Sequence, residues 1–326
     1  MNILICGGAG YIGSNMTAML AAEGHKPIVF DNLSKGHKSA IKNFELIEGD
    51  LNDHQLLVET LDKFNIEAVM HFAAFIEVGE SVAEPIKYYR NNFCATQNLL
   101  SAMETVGVRK FIFSSTAAVY GVPRKIPITE ESPTEPINPY GRSKLAVEKM
   151  CQDQYITGKL SYASLRYFNA CGAGKAGLGE DHRPESHLIP LIIQAAMGKR
   201  SEIKIYGTDY PTPDGTCIRD YIHIDDLCRA HLLALNKLDQ NSEFVCNLGN
   251  QKGHSVREVI ETVKKLSGKN FKVTETERRS GDVPILTADA TKARTELGWK
   301  IEKPELEEMV STAWQWHCEH PEGYPD

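Results

Sequence analysis

A tyrosine and a lysine lie four residues apart in the stretch "NPYGRSK", at Tyr140 and Lys144. Pro139 precedes the tyrosine, and proline suits the first turn of a helix because the backbone N–H groups there are unpaired anyway. Residues i and i+4 of a helix share one face, so the phenol and the ammonium are expected one turn apart. A neighbouring ammonium favours the phenolate, so the pair predicts a general base for an alcohol proton. An ordinary surface pair has the same spacing, so the surrounding elements must decide.

A strand that ends in hydroxyl side chains precedes this helix. The stretch "KFIFSSTAAVYG" (110–121) begins with the apolar run of a buried strand and continues through Ser114, Ser115 and Thr116. Successive side chains of a strand point to opposite faces, so Ser115 should point away from the side that Thr116 faces. We therefore expect the Thr116 hydroxyl to bind the reacting oxygen beside Tyr140.

The first residues of the chain have the pattern strand, glycine-rich turn, helix, strand. "ILIC" is a short apolar run, and Gly7, Gly10 and Gly13 follow it with the spacing G-x-x-G-x-x-G. Glycines at such a position permit a tight turn, close approach of a pyrophosphate and close packing of helix on strand. The helix N-terminus then offers free N–H groups to the phosphates. This segment predicts a dinucleotide site.

A carboxylate follows the second strand, "IVFD", at Asp31. It is expected to accept hydrogen bonds from both hydroxyls of the adenine ribose and to repel a 2′-phosphate. No arginine stands in the next three residues, so the cofactor is predicted to be NAD rather than NADP. Asp50, which ends the third strand-like run "FELIEGD", is a candidate for the adenine amino group.

Strand and helix patterns alternate through the first half of the chain, which predicts a Rossmann fold, a doubly wound α/β parallel sheet. After about residue 170 the alternation becomes irregular. We predict an NAD-binding domain over 1–170 and a smaller α/β substrate lobe over 171–326, with some segments crossing between them. The predicted strands lie at 3–6, 28–31, 44–50, 68–74 and 110–121, with helices near 53–64 and 84–106.

Composition excludes several classes of function. The net charge of −7 disfavours nucleic acid as a partner, because phosphate backbones are bound by basic surfaces. Eight cysteines without a CxxC pair indicate reduced thiols and a cytoplasmic protein. No apolar run approaches the ~20 residues of a membrane helix. The eleven histidines show no metal-ligand spacing, so no metal is predicted.

Motifs along nearly the whole chain resemble the extended short-chain dehydrogenase/reductase family, most closely its UDP-glucose 4-epimerase branch. The residues that carry this resemblance include "GGAGYIGS", "VFDN", "HFAA", "SSTAAVYG", "NPYGRSK", "LRYFNACGA" and "RRSGDVP". The resemblance implies tightly bound NAD, a UDP-sugar substrate, a homodimer and reversible oxidation at the sugar C4 through a 4-keto intermediate. Its expected substrates are UDP-glucose and UDP-galactose.

The resemblance also implies roles for individual residues. Lys144 holds the nicotinamide ribose in addition to tuning Tyr140. Further cofactor contacts are expected at Tyr11, Ile12, Asn32, Leu51, Phe72, Ala73, Ala74, Asn91, Ser114 and Tyr167. Substrate contacts are expected at Asn169, His187, Leu188, Tyr206, Arg219, Arg279, Asp282 and Leu286.

Four positions differ from those of some relatives. Related 4,6-dehydratases carry an Asp-Glu pair where this chain has Ala117 and Ala118, which favours oxidation without elimination. Some members have lysine where Ile76 stands, and relatives restricted to plain hexoses tend to carry tyrosine where Leu286 stands. The shorter side chain at 286 predicts that N-acetylated UDP-hexoses are also accepted.

Two other readings of the sequence remain. One is another NAD-dependent nucleotide-sugar enzyme, such as a UDP-glucuronate decarboxylase or epimerase. The other is a non-catalytic dinucleotide sensor, which has no use for Thr116, Tyr140 and Lys144 together.

Overall fold

The computed structural model describes residues 1–238, 242–279 and 281–325. Its largest element is a parallel sheet of seven strands in the order β10-β6-β5-β4-β1-β2-β3. The order reverses at β1, whose neighbours are β2 and β4. Such a reversal places a ligand crevice beyond the carboxyl ends of the strands. The seven strands are β1 (Asn2–Cys6), β2 (Lys26–Asp31), β3 (Glu45–Glu48), β4 (Ala68–His71), β5 (Lys110–Thr116), β6 (Ser161–Tyr167) and β10 (Glu243–Leu248).

Both faces of this sheet are covered, as the continuous apolar runs require. The side chains of β1 alternate between two cores, with Ile3 and Ile5 on one face and Leu4 and Cys6 on the other. Helices flank both faces and also build the second half of the chain. They are α1 (Tyr11–Ala22), α2 (His54–Lys63), α3 (Val78–Ala83), α4 (Pro85–Tyr88), α5 (Ala95–Val106), α6 (Pro139–Ile156), α7 (Leu188–Ala196), α8 (Ile224–Lys237), α9 (Val256–Ser267), α10 (Thr291–Leu297) and α11 (Leu306–Glu319).

Smaller strands and a third core form the remainder. Outside the large sheet, β9 pairs with β7, β11 and β13 in a four-stranded sheet. The strands β8 and β12 form a separate two-stranded sheet. The third core includes Ile192, Val259 and Met309 from α7, α9 and α11. The strands are β7 (Asn169–Cys171), β8 (Ile203–Tyr206), β9 (Ile218–His223), β11 (Gly253–Ser255), β12 (Val273–Thr276) and β13 (Ile285–Leu286).

The structure confirms the doubly wound parallel sheet and refines its parts. The strand expected over 110–121 ends at Thr116, and a 3₁₀ turn covers Ala117–Tyr120. The helix expected near 84–106 is divided by a π-helical segment over Tyr89–Cys94. The large sheet also takes β10 from beyond residue 170, and α8 packs on it.

In the part of the chain that the structure describes, we find no helix of the length and apolar character that crossing a membrane requires.

Candidate active site

One large cavity, about 940 Å³, lies beyond the carboxyl ends of the central strands. It is lined by residues of both halves of the chain, from Gly7 to Leu286. All the site residues predicted from the sequence line it except Ser114 and Lys144, which lie behind its wall. Residues that are far apart in the chain are thus brought to one space.

The glycine-rich turn forms the floor of the cofactor side. Gly7 has φ +77°, and a Cβ there would lie 2.5 Å from the backbone nitrogen of Ala73. A Cβ on Gly13 would lie 2.1 Å from the carbonyl oxygen of Gly7. Gly10, in contrast, has open space around it, since the atom nearest to a Cβ there would be 3.5 Å away. Gly10 is the N-cap residue of α1, and no side chain accepts a hydrogen bond from the first N–H groups at this position. The turn therefore leaves space and unpaired N–H groups where a pyrophosphate fits.

Asp31 is fixed by the backbone around it. Its Oδ2 accepts from the N–H of Ala9 at 2.9 Å, and its Oδ1 accepts from the N–H of Leu33 at 2.8 Å. Burial raises the pKa of Asp31, although these two hydrogen bonds oppose the rise. The carboxylate is 8% exposed and lines the cavity beside Asn32 and Asp50, so its remaining lone pairs can accept from a ribose.

Tyr140 and Thr116 meet at the centre of the cavity. The side chain of Asn138 caps α6 by accepting from the N–H of Gly141 at 2.8 Å. Gly141 allows close packing, since a Cβ there would lie 2.5 Å from the carbonyl oxygen of Ala118. The sequence "NPYGRSK" thus starts a helix directly against the 3₁₀ turn after β5. This contact sets the phenol of Tyr140 beside the hydroxyl of Thr116, with which it interacts.

Burial controls the proton affinities at this centre. It raises the pKa of Tyr140 to about 12, while the hydrogen bond to Thr116 opposes the rise and the charge of Glu77 adds to it. Burial also lowers the pKa of Lys144 to about 7, with Glu148 acting against the change. In the protein alone the phenol pKa is therefore raised and not lowered, because desolvation exceeds the opposing interaction with Thr116. A positive charge beyond Lys144 is needed for a phenolate.

Lys144 lies beneath the site, at the end of β5. Its Nζ donates to the carbonyl oxygen of Ser114 at 2.9 Å and lies 4.8 Å from the centroid of the Phe113 ring. Ser114 in turn shares a hydrogen bond of 2.5 Å with the hydroxyl of Tyr167. Ser115 points the other way, as strand alternation predicts, and donates to Glu148.

Charged groups converge at the far end of the cavity. Asp282 lies 3.6 Å from the guanidinium of Arg219 and 3.3 Å from Nε of Arg279. Arg219 is held by the carbonyl oxygen of Val283, to which it donates at 2.8 Å. The guanidinium of Arg279 covers the ring of Tyr206 at 4.4 Å. The two arginines can pair with the phosphates of a nucleotide, and the aromatic ring offers a flat surface for its base.

The other predicted substrate residues occupy the walls between these ends. Asn169 donates to the carbonyl oxygen of Asp220 at 2.8 Å. His187 is the N-cap residue of α7 and makes no side-chain cap, so the first N–H groups of the helix, including that of Leu188, face the cavity unpaired. Leu286 lies on β13 beside β9 and also contacts a small core around Val119.

Sequence motifs did not indicate an ion pair on the rim of the cofactor side. Nζ of Lys35, after β2, lies 3.2 Å from Oε1 of Glu77, before α3. Both residues line the cavity next to Ile76. Lys35 thus brings a cation to the part of the cavity lining that contains Ile76 and Glu77. The two residues are 42 positions apart, so only a structure could pair them.

The sequence also gave no sign of a group of side chains around His187, formed by Glu180, His182 and Glu185. Their convergence depends on the fold of one loop, and the spacing of single histidines does not reveal it.

Comparison with protein families identifies the family to which the chain belongs. The model of the NAD dependent epimerase/dehydratase family matches residues 3–249. The chain belongs to this family. Members are NAD-dependent, and NAD is the cofactor that fits the glycine turn and Asp31.

Individual relatives of the family align over almost the whole chain. A UDP-glucose 4-epimerase of Halalkalibacterium halodurans is 51% identical over 99% of this chain and 98% of its own length. The crystal structure of UDP-glucose 4-epimerase from Brucella ovis in complex with NAD has a TM-score of 0.93 at 47% identity, covering 96% of this chain and 97% of that one. The UDP-Glc/GlcNAc 4-epimerase of Campylobacter jejuni has a TM-score of 0.86 at 44% identity, covering 98% and 99%.

Proposed function

We propose that this protein is an NAD-dependent isomerase that inverts C4 of UDP-hexoses, with UDP-glucose and UDP-galactose as its pair of substrates. The observation that carries the proposal is the placement of Tyr140 and Thr116 in one cavity between two different binding ends. One end is the glycine turn with Asp31, and the other is the group of Arg219, Arg279 and Asp282. The relatives named above support the same activity.

Tyr140 is the proposed base for the proton of the sugar 4-hydroxyl. Bound NAD supplies the acceptor and donor of hydride at C4, and its cationic ring is the additional positive charge that the buried phenol needs. Thr116 holds the reacting oxygen through its hydroxyl, which already interacts with the phenol. Lys144 fixes the end of β5 and contributes charge from below. A general base placed in this way contributes about 10²–10⁴ in rate.

The residues after Thr116 favour a reaction without loss of water. Ala117 and Ala118 line the cavity at the point where an elimination would need an acid to protonate the leaving hydroxyl. Neither side chain can donate a proton. A 4-keto sugar formed here therefore meets no acid at these two positions, which favours the return of hydride to C4 over elimination.

Inversion requires the 4-keto sugar to present both of its faces to the same position. The diphosphate can stay bound to Arg219 and Arg279 while the sugar rotates, because these arginines lie on β9 and after β12, on other elements than the glycine turn that follows β1. Rotation of the sugar needs a fixed anchor for the diphosphate and free space around the sugar ring.

The direct test is turnover of purified protein with UDP-glucose and no added cofactor or reductant. We expect UDP-galactose to form until both sugars are at equilibrium. UDP-glucuronate serves as the competing substrate, and its decarboxylation or epimerisation at a higher rate would favour the alternative enzyme. Binding of NAD without turnover of either sugar would identify a sensor.

A second activity, on UDP-N-acetylhexosamines, is supported by Leu286. This side chain lines the cavity where a tyrosine would take more room. A leucine leaves space for an acetyl group and offers it an apolar wall. The similar Campylobacter jejuni protein is described as a UDP-Glc/GlcNAc 4-epimerase. Measurement of kcat/KM for UDP-N-acetylglucosamine and UDP-glucose tests this breadth.

We also propose that the protein is a homodimer in the cytoplasm. The helices near 84–106 and 141–157 supply the proposed face, and they carry the exposed apolar side chains Ile86 and Ile156, which a second copy would cover. The eight cysteines are all free, which fits a reducing compartment. Sedimentation of the wild type and of Ile86→Lys tests the dimer, and cell fractionation tests the location.

The division into lobes at residue 170 likewise remains a proposal, which limited proteolysis can examine.

A further inference from the structure

Four side chains with metal-binding atoms converge on the loop before α7. They are Glu180, His182, Glu185 and His187, and one ligand atom from each lies within 4.8 Å of all the others. The group has little contact with solvent on its acidic side, because the side chains of Glu180 and Glu185 are only 5% and 4% exposed. We propose that these residues bind one zinc-type divalent cation that fixes the loop beside the substrate pocket.

The four ligand atoms lie close together, although their spacing is not that of a regular tetrahedron. Nδ1 of His182 lies 3.2 Å from Oε1 of Glu180 and 3.8 Å from Oε1 of Glu185. Nδ1 of His187 lies 4.0 Å from the same Glu185 oxygen and also contacts Oε1 of Glu180. Zinc bonds to nitrogen and oxygen are about 2.0–2.2 Å, so ligand atoms of a tetrahedral site are about 3.4 Å apart. A cation at the centre requires the direct contact between His187 and Glu180 to open, so binding would replace this ion pair with two bonds to the metal.

The hydrogen bonding of the group leaves a place for a cation. Nδ1 of His182 is shielded from solvent, and its nearest acceptor in the group is Oε1 of Glu180 at 3.2 Å. It and Nδ1 of His187 both point at one oxygen of Glu180. Two imidazoles and two carboxylates are a donor set that zinc takes in its four-coordinate sites.

Neighbouring groups hold the ligands in orientation. The N–H groups of Ser186 and His187 donate to Oε1 of Glu185 at 2.7 Å and 2.8 Å. The ring of His182 meets the ring of Tyr11 edge-on, with centroids 6.4 Å apart. Hydrogen bonds and packing of this kind commonly set the direction of metal ligands.

The position of the group defines what the cation would do. Tyr11 is the first residue of α1, which follows the glycine turn, and His187 directly precedes α7 at the substrate wall. A cation bound here would connect the loop to both, so its role is to stabilise and position the wall. It would stand apart from the chemistry at Tyr140. A competing arrangement has two protonated histidines that balance the two carboxylates without any metal.

Zinc binding separates these two arrangements. The full-length protein with its bound cofactor is treated with a chelator, dialysed and titrated with ZnCl₂ by calorimetry, and its metal content is measured by mass spectrometry. We expect one Zn²⁺ per chain, release of protons on binding and a Tm that rises by a few degrees with zinc. MgCl₂ should produce neither effect, since Mg²⁺ prefers octahedral oxygen sites.

Variants localise the binding. His182→Gln and Glu185→Gln should each weaken zinc binding at least about tenfold, in line with loss of one ligand. His54→Gln, at an exposed histidine on another element, is the matched control and should bind zinc like the wild type. NAD content and circular dichroism verify folding, and if one variant does not fold the other decides. Absence of stoichiometric zinc, or equal binding by His182→Gln and His54→Gln, would overturn the proposal and leave the ion-paired cluster. The outcome is independent of whether UDP-glucose is turned over.

Discussion

The cofactor side and the substrate side of the cavity are built in different ways. The cofactor side consists of backbone packed so tightly that Gly7 and Gly13 admit no Cβ, with Asp31 fixed by two N–H groups. The substrate side depends on long side chains near the surface, since Arg279 is 63% exposed and Tyr206 is 36% exposed. The first arrangement is preorganised, whereas the second can adjust its side chains when a ligand enters.

This contrast fits the different tasks of the two ligands. A cofactor that is regenerated in every cycle need not leave, so a rigid, buried site serves it. A substrate must enter, turn and depart, which requires side chains that can move. Tyr140 lies at the boundary between the two sides, and changes there should have the largest effect.

Tyr140→Phe should reduce turnover by about 10²–10⁴, because it removes the proposed base and keeps the ring. NAD content and Tm should stay close to those of the wild type, since the cofactor side holds the dinucleotide without the hydroxyl. Tyr155→Phe is the matched control on the same helix, away from the cavity lining. Near-normal turnover by Tyr140→Phe would remove this residue from the mechanism.

Asp31→Ala tests the rigid side and should weaken NAD binding by about 10–100-fold. Each hydrogen bond to a charged group contributes about 1.5–3 kcal/mol, and the N–H groups of Ala9 and Leu33 also lose their acceptor. Discrimination against NADP should fall as well. Fluorescence titration of both dinucleotides gives the affinities, with Glu45→Ala, an exposed carboxylate on β3 that does not line the cavity, as the control. A wild-type protein that carried NADP would contradict the role of Asp31.

The buried lysine gives a pH dependence of stability. Its folded pKa of about 7 lies below the ordinary value of 10.5, so between these values the unfolded chain binds more protons than the folded one. The free energy of unfolding of the cofactor-free wild type should therefore rise with pH from 7 to 10, by at most about 1.4 kcal/mol per pH unit from this group. Below pH 7 both states are protonated and the cost of the buried charge is constant.

Lys144→Met provides the reference, because it lacks this titration. Urea unfolding of both proteins at pH 7.5 and pH 9 yields the difference. Parallel changes in the two proteins would show that Lys144 does not titrate in this range.

Leu286→Tyr changes the substrate side of the cavity. Of the variants considered it should have the smallest effect on turnover of UDP-glucose. It should lower kcat/KM for UDP-N-acetylglucosamine by about tenfold or more, as expected for a steric clash, and change that for UDP-glucose little. Steady-state kinetics with both sugars checks this. Equal losses with both would indicate that Leu286 only packs against the core around Val119.

The cofactor side was predictable because its residues are close in sequence. The turn between β1 and α1 and the carboxylate at the end of β2 lie within the first 31 residues, where local patterns specify the structure. The position of Thr116 at the end of β5 followed in the same way.

The rest depends on contacts between distant segments. The strand β6 (Ser161–Tyr167) was not predicted, since its mixed sequence "SYASLRY" interrupts the apolar pattern with a buried arginine that pairs with Glu148. The fold likewise places β10 at the edge of the large sheet. It also brings Lys35 to Glu77, although the two residues are distant in the sequence. Burial, which raises the pKa of Tyr140, is also a property of the folded chain alone.

The central claim, transfer of the C4 hydrogen away from and back to the same sugar, is tested most directly by isotope retention. UDP-glucose carrying deuterium at C4 is incubated with the purified protein in ordinary water, without added cofactor, and the UDP-galactose formed is examined by mass spectrometry and NMR. The account predicts that the product retains the deuterium at C4. Loss of the label to solvent, or UDP-galactose formation that depends on added reductant, would contradict it.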